Sequence, residues 1–464
     1  MRFRHSLMSL LALSLLSPLV ARAQTGAPTN DPLAVLAVLA VLAAEMRERG
    51  APGAAIAIVV GDSVVLATGL GVRSVEDGGT VDATTLFRVG SVTKAITGLT
   101  ALVLARQGTI DLDAPIARTI PELSPALGAP TLRQLLEHRA GLWNEAAADG
   151  RHDDAALGAR IATWRDDRLF AAPGDVHSYS SPGYWLAGRV LERAAGSAYP
   201  DVVARTLLAP LGMSRSVFRP TTALTYPLAL DHVRDSGRVR VLRPFPDDAS
   251  TWPSGSLFTS VQELARLAIA LLGEGRVGGR QALPREVPAL VFHGGSRAGP
   301  GGDCTYAFGL QRCRRGAVHT VSHYGFRRGS GAVFTLVPER RVAVIVLANG
   351  PGAIMTRTEA AALSRYAGIV PDSSSTPAPV GPLNADVLGA YIAGADTLRL
   401  FARGDSTYFA YNGQSSERAW RAADGTILVG PRSAPSQQFH LVQGDVTGTW
   451  FLHDGLGAYR RADR

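Results

Sequence analysis

Lysine is almost absent from this chain. Of its 47 basic residues one, Lys94, is lysine and the other 46 are arginine. Arginine keeps its proton at ordinary pH, whereas a lysine that is desolvated or set near another cation can lose it. The scarcity singles out Lys94 as a position where a deprotonatable amine is wanted. Cysteine is nearly as scarce. Cys304 and Cys313 are the two in the chain, half a tetrahedral metal site, and no HExxH or paired CxxC adds ligands. Neither a metal nor an organic cofactor is therefore expected. Long apolar runs are also missing after the first residues. None reaches the roughly 18 to 20 residues needed to cross a bilayer as a helix. Basic runs are short, such as Arg314-Arg315 and Arg327-Arg328, and arginines are scattered among acids. The formal charge of +8 thus reads as solvated surface rather than a nucleic-acid footprint.

What is present begins with an export signal. MRFRH is basic, SLMSLLALSLLSPLV is apolar, and Ala21-Arg22-Ala23 has small residues at the usual cleavage positions. Residues 1–23 are expected to be removed, leaving Gln24 at the new N-terminus and a net charge of about +5. No cysteine follows the cut, which argues against a lipid anchor. A periplasmic or secreted location follows, and an oxidising compartment favours a disulfide between Cys304 and Cys313, nine residues apart. Oligomeric state cannot be read from the sequence.

About 440 residues remain, enough for more than one domain. Pro32 to Gly50 reads as a helix; AAIAIVV and SVVLATG read as strands joined by a Gly61-Asp62 turn, with a third strand over Thr85 to Arg88. SVTKAITGLTALVLARQG reads as a helix ending at Gly108. Residues 109 to about 300 look mainly helical, and strands return at SGAVFTLVP and RVAVIVLAN before a helix over 355–366. One sheet built from both ends with a helical insertion is the natural layering. Residues 369–382, IVPDSSSTPAPVGP, read as a linker. The remainder, 383–464, alternates short apolar runs with turns, the pattern of a small antiparallel sandwich or barrel. It carries no tight cluster of acids, cysteines or histidines, so the chemistry is expected upstream, in residues 24–368.

Ser91-Val92-Thr93-Lys94 places a serine and the lone lysine on one face of a helix start. It matches the S-x-x-K signature of serine hydrolases related to penicillin-binding proteins and serine β-lactamases. TLRQLLEHRAGL (131–142), PGDVHSYSSPGYWLAGRVLERAAG (173–196), PSGSLFTSVQELAR (253–266) and SHYGFRRGSGAVFTLVPERRVAVIVLAN (322–349) resemble further segments of the same family, in family order. The family holds class C β-lactamases, D-alanyl-D-alanine carboxypeptidases and serine esterases. The resemblance covers roughly residues 30–365. It implies an α/β (α+β) fold of the β-lactamase/transpeptidase type, with a central antiparallel sheet flanked by helices.

The resemblance also assigns tasks. Ser91 would be the nucleophile, and Lys94 and Tyr179 the candidate bases, with the choice between them open. The backbone N–H groups of Ser91 and Phe326 would form an oxyanion hole. His323, Tyr324 and Gly325 match a motif in which a basic residue meets substrate, so His323 would act there as a pH-dependent cation. Ser181 stands where the family's β-lactamases and peptidases usually carry asparagine, and its single hydroxyl cannot replace an amide fully. Arg139 and Trp143 lie near enough in sequence to line a cleft. These departures favour esterase or amidase action on a small acyl substrate through an acyl-enzyme at Ser91. A β-lactamase or D-aminoacyl carboxypeptidase is the alternative, and a non-catalytic penicillin-recognising or cell-wall-binding protein the rival of a different class. The expected partners are small esters, amides, β-lactams or D-amino-acid peptides.

Overall fold

The computed structural model describes residues 31–145, 149–300, 302–370 and 377–462. The expected signal and its cleavage site lie outside these residues, as does the middle of the expected linker.

Three strands from the first half of the chain, β1 (Gly53–Val60), β2 (Ser63–Ser74) and β3 (Gly78–Thr80), join six from further on. These are β4 (Ser296–Arg297), β5 (Cys304–Ala307), β6 (Leu310–Arg315), β7 (Val318–Arg327), β8 (Ser330–Val337) and β9 (Val342–Ala348). The sheet runs β4-β5-β6-β7-β8-β9-β1-β2-β3, and its named pairings are antiparallel. Its two sources meet where β1 pairs β9, Ala54 opposite Ala348 through Val60 opposite Val342.

Strand alternation explains why AAIAIVV is apolar without a break. Successive side chains face opposite sides of a sheet, and both sides of β1 are covered. Ala54, Ile56 and Ile58 pack in a cluster with α1 (Pro32–Arg49) and residues of the Thr356–Ala367 helix. Ala55, Ala57 and Val59 face the larger cluster, which holds α2 (Thr93–Arg106), α3 (Ser181–Ala195) and α4 (Val261–Leu272). The Thr356–Ala367 helix is α5. The strand expected over 85–88 shrinks to Phe87–Arg88. It pairs with Phe258–Thr259 beside the main sheet, because the buried Arg88 is held there between Asp231 and Asp247. Cys304 and Cys313 face each other across β5 and β6 and form a disulfide.

Beyond residue 377 the chain builds a second sheet. After β10 (Pro379–Gly381) come β11 (Gly389–Ala393), β12 (Asp396–Arg403), β13 (Ser406–Tyr411), β14 (Glu417–Ala422), β15 (Ile427–Val429), β16 (Gln437–Gln443), β17 (Trp450–His453) and β18 (Ala458–Arg461). Each strand from β11 to β18 pairs with the next, and β18 pairs back with β11. Of sandwich and barrel, the second is what forms, a closed eight-stranded antiparallel meander. Closure removes the exposed edges that a sandwich would leave. Inward residues such as Leu398, Leu400, Phe409, Phe439 and Leu452 fill it.

Candidate active site

Ser91 sits in a single turn, Gly90–Val92, that leads directly into α2. The turn is pressed against β7. Gly90 has φ +51°, and a Cβ there would lie 2.7 Å from the Phe326 nitrogen. Gly325 is equally constrained, since a Cβ would come within 1.9 Å of the Val89 carbonyl oxygen. Two glycines thus let the backbones carrying Ser91 and Phe326 touch. The Ser91 N–H belongs to a first helical turn, where no preceding carbonyl accepts it. The backbones that carry these two N–H groups thus meet at one edge of the site.

Lys94 is fully buried, with 0% of its surface exposed. Its Nζ lies 3.1 Å from Ser91 Oγ, 3.3 Å from Ser181 Oγ and 3.0 Å from the Ser254 carbonyl oxygen. The Tyr179 ring centroid is 4.7 Å away and that of Tyr184 5.6 Å. No carboxylate among the described residues pairs with this amine. Burial, and then the charge of Arg327, hold its pKa well below the usual lysine range. The site therefore contains what the lysine count implied, an amine that can be neutral.

Tyr179 moves the other way. Burial raises its pKa, and a hydrogen bond with Ser91 offsets part of that rise. A phenol above Lys94, itself depressed, makes the pair unequal. Burial pulls the two neighbours in opposite directions, the amine toward its neutral form and the phenol toward its protonated form.

His323 departs from its expected task. Its Nδ1 faces the Tyr324 carbonyl at 2.6 Å and its Nε2 the Tyr306 hydroxyl at 3.0 Å. With Nδ1–H donating to the carbonyl, Nε2 accepts from Tyr306, and both ring nitrogens are used. Burial, followed by the charge of Lys94, pushes its pKa down to about 3. The imidazole is neutral and engaged, so it neither carries charge nor offers a free donor to a substrate carboxylate. Tyr324 departs for a simpler reason. It alternates to the opposite face of β7, where its hydroxyl donates to Glu359 of α5 at 2.9 Å. Arg139 and Trp143 turn to the barrel. Arg139 bonds the Gly174 carbonyl and Asp445, and Trp143 packs against Gly394.

Ser181 opens α3, and its hydroxyl reaches Lys94. The amide that sequence places at 181 in relatives has a neighbour instead. Asn144 Oδ1 accepts from the Ser181 N–H at 2.9 Å, bringing a carboxamide to the same edge. Three further groups escaped sequence reasoning. The Ser254 carbonyl orients Lys94. Arg327 points Nη1 at Gly255, where a Cβ would lie 3.3 Å from it, and burial and Arg88 push its pKa down. His138, with φ 58°, accepts the Ser180 N–H through Nδ1 at 3.0 Å and packs its ring against Tyr179 at a tilt of 43°. The motif 131–142 marked the neighbourhood of His138 and Asn144 without naming either. Nothing local marks a backbone carbonyl at 254.

The barrel is part of this surroundings. The strip 175–179 lies along its outer wall. The Asp175 carboxylate accepts from Val446 N at 3.0 Å, Thr447 N at 3.0 Å and Thr447 Oγ1 at 2.6 Å. His453 Nε2 donates to the His177 carbonyl at 3.0 Å, Ala458 N to Ser178 Oγ at 3.1 Å, and Tyr179 N to the Leu456 carbonyl at 2.9 Å.

Among the described residues no cluster of His, Cys, Asp and Glu is arranged to hold a metal ion, and no helix is long and apolar enough to cross a membrane. Comparison with known proteins places the chain in context. The Beta-lactamase family model matches residues 38–369. Penicillin-binding protein 4 of Amycolatopsis lactamdurans is 28% identical over 363 residues, 74% of this chain and 94% of that protein. The crystal structure of SurE superposes with a TM-score of 0.77 at 24% identity, covering 93% of this chain and 99% of SurE. The structure of SurE with D-Leu gives 0.75 at 23% identity, over 93% and 100%.

Proposed function

The chain belongs to the β-lactamase family, and from that premise we propose that it hydrolyses a D-aminoacyl peptide through an acyl-enzyme at Ser91, in the manner of a carboxypeptidase. The observation that carries the reaction type is the buried Lys94 amine 3.1 Å from Ser91 Oγ with no carboxylate beside it. Neutral Lys94 takes the Ser91 proton as Oγ bonds to the substrate carbonyl. The oxygen that becomes negative rests on the N–H groups of Ser91 and Phe326. Collapse breaks the C–N bond. Tyr179, held as a phenol, gives its proton to the leaving amine and recovers one from Lys94. Water then attacks acyl-Ser91 with the same amine as base. Ser181 and the Ser254 carbonyl keep Lys94 aimed throughout.

Substrate class rests on lesser supports. Among the described residues no carboxylate is bonded to Arg327, although Asp231, Asp247 and Asp248 act on it at longer range, and its guanidinium is suited to a peptide C-terminus. Asn144 supplies an amide beside Ser181. Among relatives, one is a penicillin-binding protein by name and another has been solved with D-Leu. The rival reading, an esterase or amidase for a small acyl substrate, is favoured by Ser181, whose shorter side chain leaves room and demands no amide partner, and by His323, which is neutral and offers no cation to a substrate carboxylate. An exported location is part of the proposal, carried by the basic and apolar start of the sequence.

Intact-mass analysis after exposure to a fluorescent β-lactam or an acyl phosphonate tests the covalent step. Wild type should gain one adduct and Ser91→Ala none; an unlabelled wild type with both reagents sinks the mechanism. Side-by-side kcat/KM on a D-Ala-D-Ala peptide, nitrocefin and p-nitrophenyl acetate tests the substrate. The peptide should lead, and a tenfold lead for the ester would instead establish the esterase.

A further inference from the structure

The barrel has an opening at one end, where the β13–β14, β15–β16 and β17–β18 connections gather. A cavity of about 690 Å³ lies there, within the size range of small-molecule sites. Leu398, Phe409, Phe439 and Tyr459 line its depth, and Leu456 of the β17–β18 turn stands at its lip. Glu417 and Asp454 are the charged residues lining it, and no arginine does.

Which way this mouth faces is set by the strip 175–179. Asp175 bonds residues 446 and 447, in the β16–β17 connection at the opposite end of the barrel. His177 bonds His453 at the end of β17, and Tyr179 bonds Leu456 in the β17–β18 turn. The strip therefore climbs the barrel wall from the closed end to the mouth, and it arrives with Tyr179. The residue whose carbonyl receives the Tyr179 N–H is the one whose side chain stands at the lip, 56% exposed. Cavity and Ser91 site are thus held side by side by backbone hydrogen bonds rather than by a flexible tether. An eight-stranded barrel is wide enough to hold one small ligand when its mouth is not filled.

We propose that the barrel mouth is a remote substrate subsite that receives an aromatic or branched aliphatic side chain on the acyl side of the peptide, in a segment that is neutral or positively charged. The apolar and aromatic depth supplies the affinity, and Glu417 and Asp454 discriminate against anionic segments. Binding energy gained there acts on the reaction at Ser91, because the turn whose Leu456 lines the mouth is the one bonded to Tyr179. The assignment rests on the acyl-transfer reading of Ser91, and the test separates the two.

The probe is N-phenyl-1-naphthylamine, neutral and fluorescent when shielded from water, titrated onto the intact protein. Two peptides compete: acetyl-D-Ala-D-Ala, and D-Ala-D-Ala extended at its N-terminus by three residues that begin with phenylalanine and carry a free amine. Saturable probe binding, displaced by the extended peptide and not by the short one, is expected. The extended peptide should also exceed the short one at least tenfold in kcat/KM. That preference should fall at least tenfold in Leu456→Arg, and displacement by the cationic peptide should weaken in Glu417→Arg. Both substitutions are on exposed positions. Probe binding that does not saturate or that the extended peptide leaves unchanged overturns the subsite, and so do a kcat/KM preference unchanged in Leu456→Arg and a displacement unchanged in Glu417→Arg. If neither peptide is turned over, the catalytic reading fails, and probe displacement still decides the subsite.

Discussion

A neutral lysine explains both the composition and the chemistry around residue 91. A charged Lys94 would donate all three protons to Ser91, Ser181 and the Ser254 carbonyl and could accept none. Only the neutral amine serves as base, so kcat/KM should rise with pH as Lys94 loses its proton. Because its pKa is depressed, that limb should be complete well below the usual lysine range. Lys94→Arg keeps the charge and removes the titration. Its acylation rate should drop by two to four orders of magnitude, about what general-base catalysis contributes. Wild-type acylation in that variant, followed by stopped-flow labelling, would refute the base assignment. The buried imidazoles make a second prediction. His177 and His323 are both pushed down to about 3 by burial, with His453 and Lys94 as the next contributions. Their folded pKa values lie below the unfolded value, so the unfolded chain binds protons that the native one refuses. Stability is then complete above about pH 6.5 and falls as pH drops toward 3. The slope should approach about 1.4 kcal/mol per pH unit for each histidine, additively for the two. Urea titrations at stepped pH measure it, and a flat profile between pH 6 and 4 would exclude two neutral buried histidines. Ser91 and Lys94 were legible because their relation is local, three residues along one helix. His323 was legible as a position and misread as a charge, because burial and the Tyr306 hydroxyl come from residues the strand alone does not reveal.

Among the elements, those with a strong period were read from sequence and those defined by their partners were not. The hairpin β1–β2, the pair β8–β9 and helices α1, α2, α4 and α5 follow from runs of apolar residues with clear stops. In the barrel the alternation of short apolar runs with turns was visible over 383–464, while the individual strands β11 and β14 were not. β14, ERAWRA, reads as polar because Arg418 and Arg421 stand on opposite faces of it, both half-buried, and its fully buried residues are only Ala419 and Ala422. The link between the first and last helices of the main unit was likewise invisible. Glu45 of α1, fully buried, accepts from Arg357 N at 3.2 Å, Thr358 N at 2.9 Å and Thr358 Oγ1 at 2.8 Å. It caps the first turn of α5 from another helix, satisfying donors that have no carbonyl before them. Glu45→Leu would leave two or three of these donors buried without partners. The expected loss is about 2–4 kcal/mol in urea unfolding. A change under about 0.5 kcal/mol, the size of an ordinary surface substitution, would show that water replaces the carboxylate at no cost.

At the scale of the whole molecule, the barrel is hydrogen-bonded to the main unit along the strip 175–179. Sequence places the chemistry upstream because the barrel region has no cluster of reactive residues. It could not reveal the docking, because each hydrogen bond along the strip joins residues more than 250 positions apart and several use backbone atoms. Asp175 is the test of how firmly the two parts are joined. It is 2% exposed and accepts three hydrogen bonds from residues 446 and 447, while its carbonyl accepts from Asp445 N at 2.8 Å. Asp175→Ala keeps the last of these and orphans the other three donors. Each buried donor left unpaired costs about 1–3 kcal/mol, less where water can enter. Loss at one end of the strip should loosen the contact as far as Tyr179, four residues away. Calorimetry of Asp175→Ala should then show the barrel melting separately and earlier, as two transitions in place of one. Acylation of Ser91 by the phosphonate should slow in parallel, because Tyr179 has lost part of the wall that positions it. A single transition at the wild-type temperature with unchanged acylation would mean that the barrel is held by its apolar contacts alone. Two transitions with unchanged acylation would mean that Tyr179 is positioned from its own side, by His138 and α3, and that the Leu456 bond follows the site rather than shaping it.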